Sequence, residues 1–243
     1  NNFNVSISET TDGGVKIATG FTLTDEGGAE SDASGLTLTF TDGSSLQLIE
    51  AGSASGAHDV SVPGAGGEQG ISGTTGNHAP TGLGFANASS NVGFEYASVA
   101  DAFGIDGLTW GISGSTGDDS DGTGSSSTVE TAYSVGASYV TDAGDTTVTI
   151  GGGFVSADDS NSDTANSKGE ETAIALTAVT GDLTVGAGWA SGTEVASHSS
   201  DSQSSEVDGA EVLTAGAKYV SGDITFTVSY ADGESKDTAT FGS

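Results

Sequence analysis

Two imidazoles and two carboxylates, His58, Asp59, Glu68 and His78, fall within one connection of the chain, residues 52–90. Such groups attract cations and exchange protons. Pro63 and Pro80 stiffen that stretch, and its many glycines let the backbone fold tightly. A second acidic set, Asp159, Asn161, Asp163 and Glu170, has the spacing of EF-hand ligands. Thr164 stands where an EF-hand needs glycine, and no helices flank the set. It therefore reads as an adventitious Ca²⁺ site at Asp159, Asp163 and Glu170, built from hard oxygen ligands on an acidic loop. Asp118, Asp119 and Asp121 form a similar cluster. Nothing in the sequence supports catalysis. The three histidines, His58, His78 and His198, lack any triad context. Gly151-Gly152-Gly153 is not followed by the Lys-Ser/Thr of a phosphate loop. The chain is read as a non-enzyme without a required cofactor.

Charge narrows the classes further. The 243 residues include 4 Lys, no Arg and 34 Asp plus Glu, for a net charge of −30. A nucleic-acid binder needs clustered cations to neutralise phosphates, so that class is excluded. The absence of Cys removes disulfides, thiolate zinc sites and a Cys nucleophile. So acidic a surface fits a salty medium, where ions screen self-repulsion. Leu, Ile, Val and Phe make up only about 19% of the chain, a composition that would by itself indicate disorder. Pattern overrides composition here, because a strand needs only one apolar face.

Read with a period of two, the chain resolves into about twelve strands and no convincing helix. Phe3, Val5 and Ile7 alternate with polar residues, as do Leu36, Leu38 and Phe40. The same holds for Val92, Phe94 and Tyr96, for Leu108, Trp110 and Ile112, and for Ile224, Phe226, Val228 and Tyr230. The strands read as about 8–11 residues long, the length a tilted strand needs to cross lipid. Connections alternate strictly. Short ones carry Asp and Gly, which accept the positive φ of tight turns: Asp12-Gly13, Asp42-Gly43, Asp106-Gly107, Gly144-Asp145, Gly181-Asp182 and Gly222-Asp223. Long ones, at 25–34, 52–90, 115–128, 157–171, 191–210 and 232–237, are rich in Ser, Asp, Gly and Thr. An up-and-down sheet then has all tight turns at one end and all long loops at the other.

A meander of this length exposes two edges unless it closes into a barrel. The polar face of the strands is Gly, Ser, Thr and Ala, and the charge sits in the long loops. An interior this wide is not filled by side chains. Apolar residues outward and small polar residues inward therefore predict an all-β transmembrane barrel, with lipid outside and water inside. Aromatic rings agree: Phe103, Tyr139 and Tyr219 fall beside tight turns, and Trp189 and Tyr230 at the long-loop ends of their strands.

Three stretches carry a family resemblance: Glu9-Thr10-Thr11-Asp12-Gly13-Gly14-Val15-Lys16-Ile17, Gly35-Leu36-Thr37-Leu38-Thr39-Phe40-Thr41-Asp42-Gly43 with Leu46-Gln47-Leu48, and Tyr219-Val220-Ser221-Gly222-Asp223-Ile224-Thr225. In order and spacing they resemble the hairpins of general diffusion porins of Gram-negative outer membranes, the alphaproteobacterial type especially. The resemblance implies a sixteen-stranded barrel, homotrimers in outer-membrane lipid, and passive diffusion of ions and small hydrophilic solutes. Against that pattern, residues 1–243 read as one barrel domain, an internal portion lacking its first and last strands. The longest connection, 52–90, then falls where the family folds a loop inward to constrict the pore. His58, Asp59, Glu68 and His78 are the candidate constriction residues, and Lys16, Glu95 and Lys218 fall on the lumen register of the wall. With no Arg opposite the acidic loop, the expected preference is for cations. The competing reading is an acidic secreted or cell-surface structural or adhesion protein stabilised by Ca²⁺, which a fixed-length repeat would have favoured.

Overall fold

The computed structural model describes residues 2–24, 32–48, 53–64, 92–116, 129–159, 167–194 and 207–235. Among the described residues, twelve strands follow one another in a single antiparallel sheet whose spatial order is the chain order. They are β1 (Asn2–Thr10), β2 (Lys16–Thr24), β3 (Asp32–Thr39), β4 (Ser45–Leu48), β5 (Val92–Ala97) and β6 (Leu108–Thr116). Then come β7 (Val129–Ala143), β8 (Thr146–Asp159), β9 (Ser167–Thr180), β10 (Leu183–Glu194), β11 (Val207–Ser221) and β12 (Ile224–Ser235). Among the described residues β1 pairs only with β2, and β12 only with β11. No helix of the described residues is long and apolar enough to cross a membrane. From β2 to β11 each strand is paired on both sides, and such antiparallel ladders supply the backbone hydrogen bonds that a lipid-crossing strand requires.

The tight turns form where Asp and Gly predicted them. Gly14, Gly43, Gly144, Gly181 and Gly222 all have φ between 54° and 92°. In the turn before β4, the Asp42 carboxylate accepts from Ser44 Oγ at 2.7 Å and from Ser44 N at 2.9 Å. Those bonds hold the Asp42 carboxyl below its ordinary pKa. The turn between β5 and β6, read from sequence at Gly104-Ile105-Asp106-Gly107, is longer than that. It contains a 3₁₀ turn over Ala102–Gly104, with Asp101 and Phe103 in left-handed conformations. Asp101 Oδ1 accepts from Gly107 N at 2.7 Å, and the Gly107 carbonyl accepts from Val140 N at 3.0 Å. The turn is thereby stitched to β7.

Strand lengths depart from the expected 8–11 residues. β4 has 4, whereas β7 and β11 have 15 each. Parts of the stretches read as long loops are therefore strand: Ser167–Glu171 opens β9, Val207–Ala210 opens β11, and β12 runs on to Ser235. Beyond the lipid a ladder needs no apolar alternation, so these polar extensions carry no period-two signal. Trp189 and Tyr230 consequently lie well inside their strands, not at the ends. At the tight-turn end Trp110 contacts both Tyr96 (5.2 Å between ring centroids) and Phe103 (5.9 Å, stacked).

The pleat sorts the residues onto two faces. Ile112, Val135, Ile150, Ile174, Leu176, Val185 and Leu213 are exposed on the outward face. The inward face carries small residues in rows across the ladder. Gly111, Gly136, Gly153, Ala173 and Ala190 make one row. Thr109, Ser138, Gly151, Ala175 and Gly188 make the next. Apolar-out and small-in is the predicted arrangement.

Candidate pore constriction

The connection between β4 and β5 turns inward. Its described part, residues 53–64, crosses the small-residue rows on the inward face. It opens with a four-residue helix, α1 (Ala54–Ala57), which is too short to leave a helical period in the sequence. Ser53 caps it by accepting from Gly56 N. The first N–H groups of any helix lack intrahelical partners. Here the wall supplies two: Ala54 N donates to Ser113 Oγ at 3.0 Å, and Ser55 N to Ser134 Oγ at 3.1 Å. Ser113 Oγ and Ser134 Oγ are themselves 2.8 Å apart. Ala54, Ser55, Ser113 and Ser134 are all buried at this seam. A net stabilisation of roughly 0.5–1.5 kcal/mol per bond is typical for such pairs.

Glycines make the close approach possible. A Cβ on Gly153 would lie 2.8 Å from Ser55 Cα, and one on Gly136 would lie 3.0 Å from Ser55 Cα. A Cβ on Gly151 would lie 2.5 Å from the His58 carbonyl oxygen. Farther along, a Cβ on Gly216 would overlap the Pro63 carbonyl, and one on Gly186 would lie 3.2 Å from Pro63 Cδ. Gly151 and Gly153 are the floor on which the segment lies. Val60 and Val62 pack with Ala175 as a small apolar core beneath it.

His58 follows α1 and is buried against β6 and β7. Its Nδ1 lies 2.9 Å from Ser138 Oγ, which in turn is 2.9 Å from Thr109 Oγ1. Burial pushes the imidazole pKa down, opposed by a weaker hydrogen bond to the Trp110 backbone. The contact serves either tautomer of the neutral ring, because the Ser138 hydroxyl both donates and accepts. Asp59 is half-buried in the same segment. Glu68 and His78 lie outside the described residues.

The wall candidates take the following places in the sheet. Glu95 on β5 stands opposite Gln47 and Ser113, in the row that anchors α1. Lys218 on β11 stands between Thr184 and Thr227, beside residues 61–64. Lys16 on β2 is linked to the inward face through Thr39, Ser45, Ala97 and Gly111. It is therefore four strands from Ser113, the β6 anchor of α1. Sequence reading missed Thr109, Ser113, Ser134 and Ser138. Their signal was a hydroxyl beside glycine at alternate inward positions. Of the calcium candidates, Asp163 lies outside the described residues. Asp159 pairs with Ser167, and Glu170 with Ser156, three positions apart along β8. Among the described residues no group of three or more His, Asp or Glu is placed to hold a metal ion.

A solved structure with a similar chain path is OmpT (in-vitro folded), an outer membrane protein of Vibrio cholerae. It is 10% identical, with a TM-score of 0.43, and the alignment covers 96% of this chain and 79% of that one. None of the curated proteins compared matches the chain in sequence. The sequence family described as Gram-negative porin matches residues 1–242. The chain belongs to that family, and its twelve-stranded meander is wall of a β-barrel in the outer membrane.

Proposed function

We propose that the chain forms a water-filled pore that passes ions and small hydrophilic solutes by diffusion and prefers cations. The observation that carries this reading is the seating of residues 53–64 on the inward face, through Ser113, Ser134 and the wall glycines. A segment held there narrows the lumen from one side. Asp59 lies on it, and Glu95 faces the same space from β5. Fixed carboxylates on a narrow aqueous path raise the local cation concentration and repel anions. The whole chain's charge of −30 adds to that bias. No covalent chemistry is required; selection follows from width and field. The assembly expected from the family resemblance is a homotrimer in outer-membrane lipid.

The test is a planar bilayer carrying the intact, detergent-purified protein under a KCl gradient. Stepwise ohmic currents with a reversal potential on the K⁺ side are expected. Anion preference would retain the pore and overturn the reading of its lining. A protein that never inserts and stays soluble in plain buffer would overturn the pore itself.

A further inference from the structure

We propose that the niche between residues 61–64 and the inward face of β10–β12 binds a small hydroxylated carboxylate. A cavity of about 270 Å³ opens there, lined by Ser61, Val62, Pro63, Thr184, Lys218 and Thr227. Its polar side is a row across three strands. Lys218 is directly opposite Thr184 on β10 and Thr227 on β12, so one ammonium sits between two hydroxyls on one face. Ser61 adds a third hydroxyl from the segment above. Val62 and Pro63 supply an apolar side, and Pro63 has no N–H to satisfy. Pro63 lies so close over Gly216 that no side chain fits between them, which fixes its position two residues from Lys218 on the same face.

The donor set defines the ligand. An ammonium donates three hydrogen bonds and accepts none, so it takes an anion. Hydroxyls donate and accept, which matches a solute that carries hydroxyls of its own. The apolar side receives the C–H face of a short carbon chain. The volume lies just under that of drug-sized pockets, which limits the occupant to a small molecule. One ammonium balances the single charge of a carboxylate, whereas a doubly charged phosphate would keep a net negative charge in a lumen already lined by carboxylates. Among the described residues, Lys16 is the other lysine on the inward face, and it lies across the sheet on β2. In a chain this acidic, Lys218 is where an organic anion finds attraction beside the constriction. The site must also release its occupant for transport to continue, so binding is weak.

This inference rests on the pore reading for its consequence, and the experiment separates the two. Single channels of the intact protein are recorded at constant cation concentration while gluconate, or glucose as its uncharged counterpart, is titrated in. Gluconate is expected to reduce the open current saturably, with a half-effect concentration at least tenfold below that of glucose. Lys218→Gln should bring gluconate to the glucose level, and Lys218→Arg should restore most of the difference. Retention of labelled gluconate by the detergent-solubilised chain, measured by equilibrium dialysis, reads the niche without a pore. A chain that conducts but treats gluconate as it treats glucose overturns the niche and keeps the pore. A chain that retains gluconate through Lys218 yet never conducts does the reverse. Undiminished gluconate block in Lys218→Gln also overturns the proposal.

Discussion

His58 Nδ1 lies 2.9 Å from Ser138 Oγ, joining the inward segment to the middle of β7 across 80 positions of sequence. Thr109 and Gly111 on β6 and Gly136 on β7 also lie against the ring, and none of these carries charge. The docked site is therefore built for the neutral imidazole.

Acid should loosen that docking. Burial lowers the folded pKa of His58 below the ordinary value of 6.5. The undocked state then binds more protons than the docked one. Docking is at full strength above pH 6.5 and weakens as pH falls through the lowered pKa. Histidine NMR of the protein in detergent should show His58 titrating below 6.5. A midpoint at or above 6.5 would contradict the buried neutral ring.

Adding one methyl group to the wall should lift the segment. Gly153→Ala places a Cβ against Ser55, where backbone on both sides must yield. Overpacking of this kind costs about 1–3 kcal/mol. The expected readout is a larger unitary conductance from a barrel of unchanged strand content. Gly13→Ala, whose Cβ would meet only Thr11 Oγ1 at 3.9 Å, serves as the control.

Ser134→Ala strands the buried Ser55 N–H and removes one of the two hydrogen-bond partners of Ser113 Oγ, which keeps Ala54 N. A buried donor left without a partner costs about 1–3 kcal/mol. Amide exchange of residues 54–58 should accelerate by roughly tenfold or more, since 1.4 kcal/mol is tenfold in an equilibrium. Unchanged exchange would mean the serine seam does not hold α1.

The two faces should respond oppositely to charge. Ile174 is 53% exposed on the outward face of β9. Ile174→Arg puts a cation into lipid at a cost of about 2–4 kcal/mol near the midplane. Thr225→Arg, on the inward face of β12, should be far milder. Urea titrations of vesicle-folded protein compare the two, and equal losses would refute the assignment of faces.

Reversing one wall charge should shift selectivity. Glu95→Lys replaces a carboxylate beside the row that anchors α1. The reversal potential under a KCl gradient should move toward the Cl⁻ side. An unchanged value would place Glu95 outside the conducting path.

Most of the sheet was legible because alternation and turn chemistry act locally. Leu108, Trp110 and Ile112 needed no distant partner to declare a face, and Asp42-Gly43 needed none to declare a turn. What was hidden is what other parts of the chain decide. The length of β9 before Thr172 depends on its ladder with β8, not on apolar period. Helix α1 exists because Ser113 and Ser134 take its first N–H groups. The register of Lys218 was readable, but its place beside Pro63 depends on a close approach over Gly216 that no local pattern encodes.

The glycine floor has a consequence for how current would flow. Where segment and wall meet, they meet as backbone on backbone. Bore at that point is set by main-chain position, and rotamer hopping cannot widen it by degrees. Packed contacts of this sort tend to have few discrete arrangements. Openings should therefore come as separate steps, one for the seated segment and one for the lifted segment, with little between.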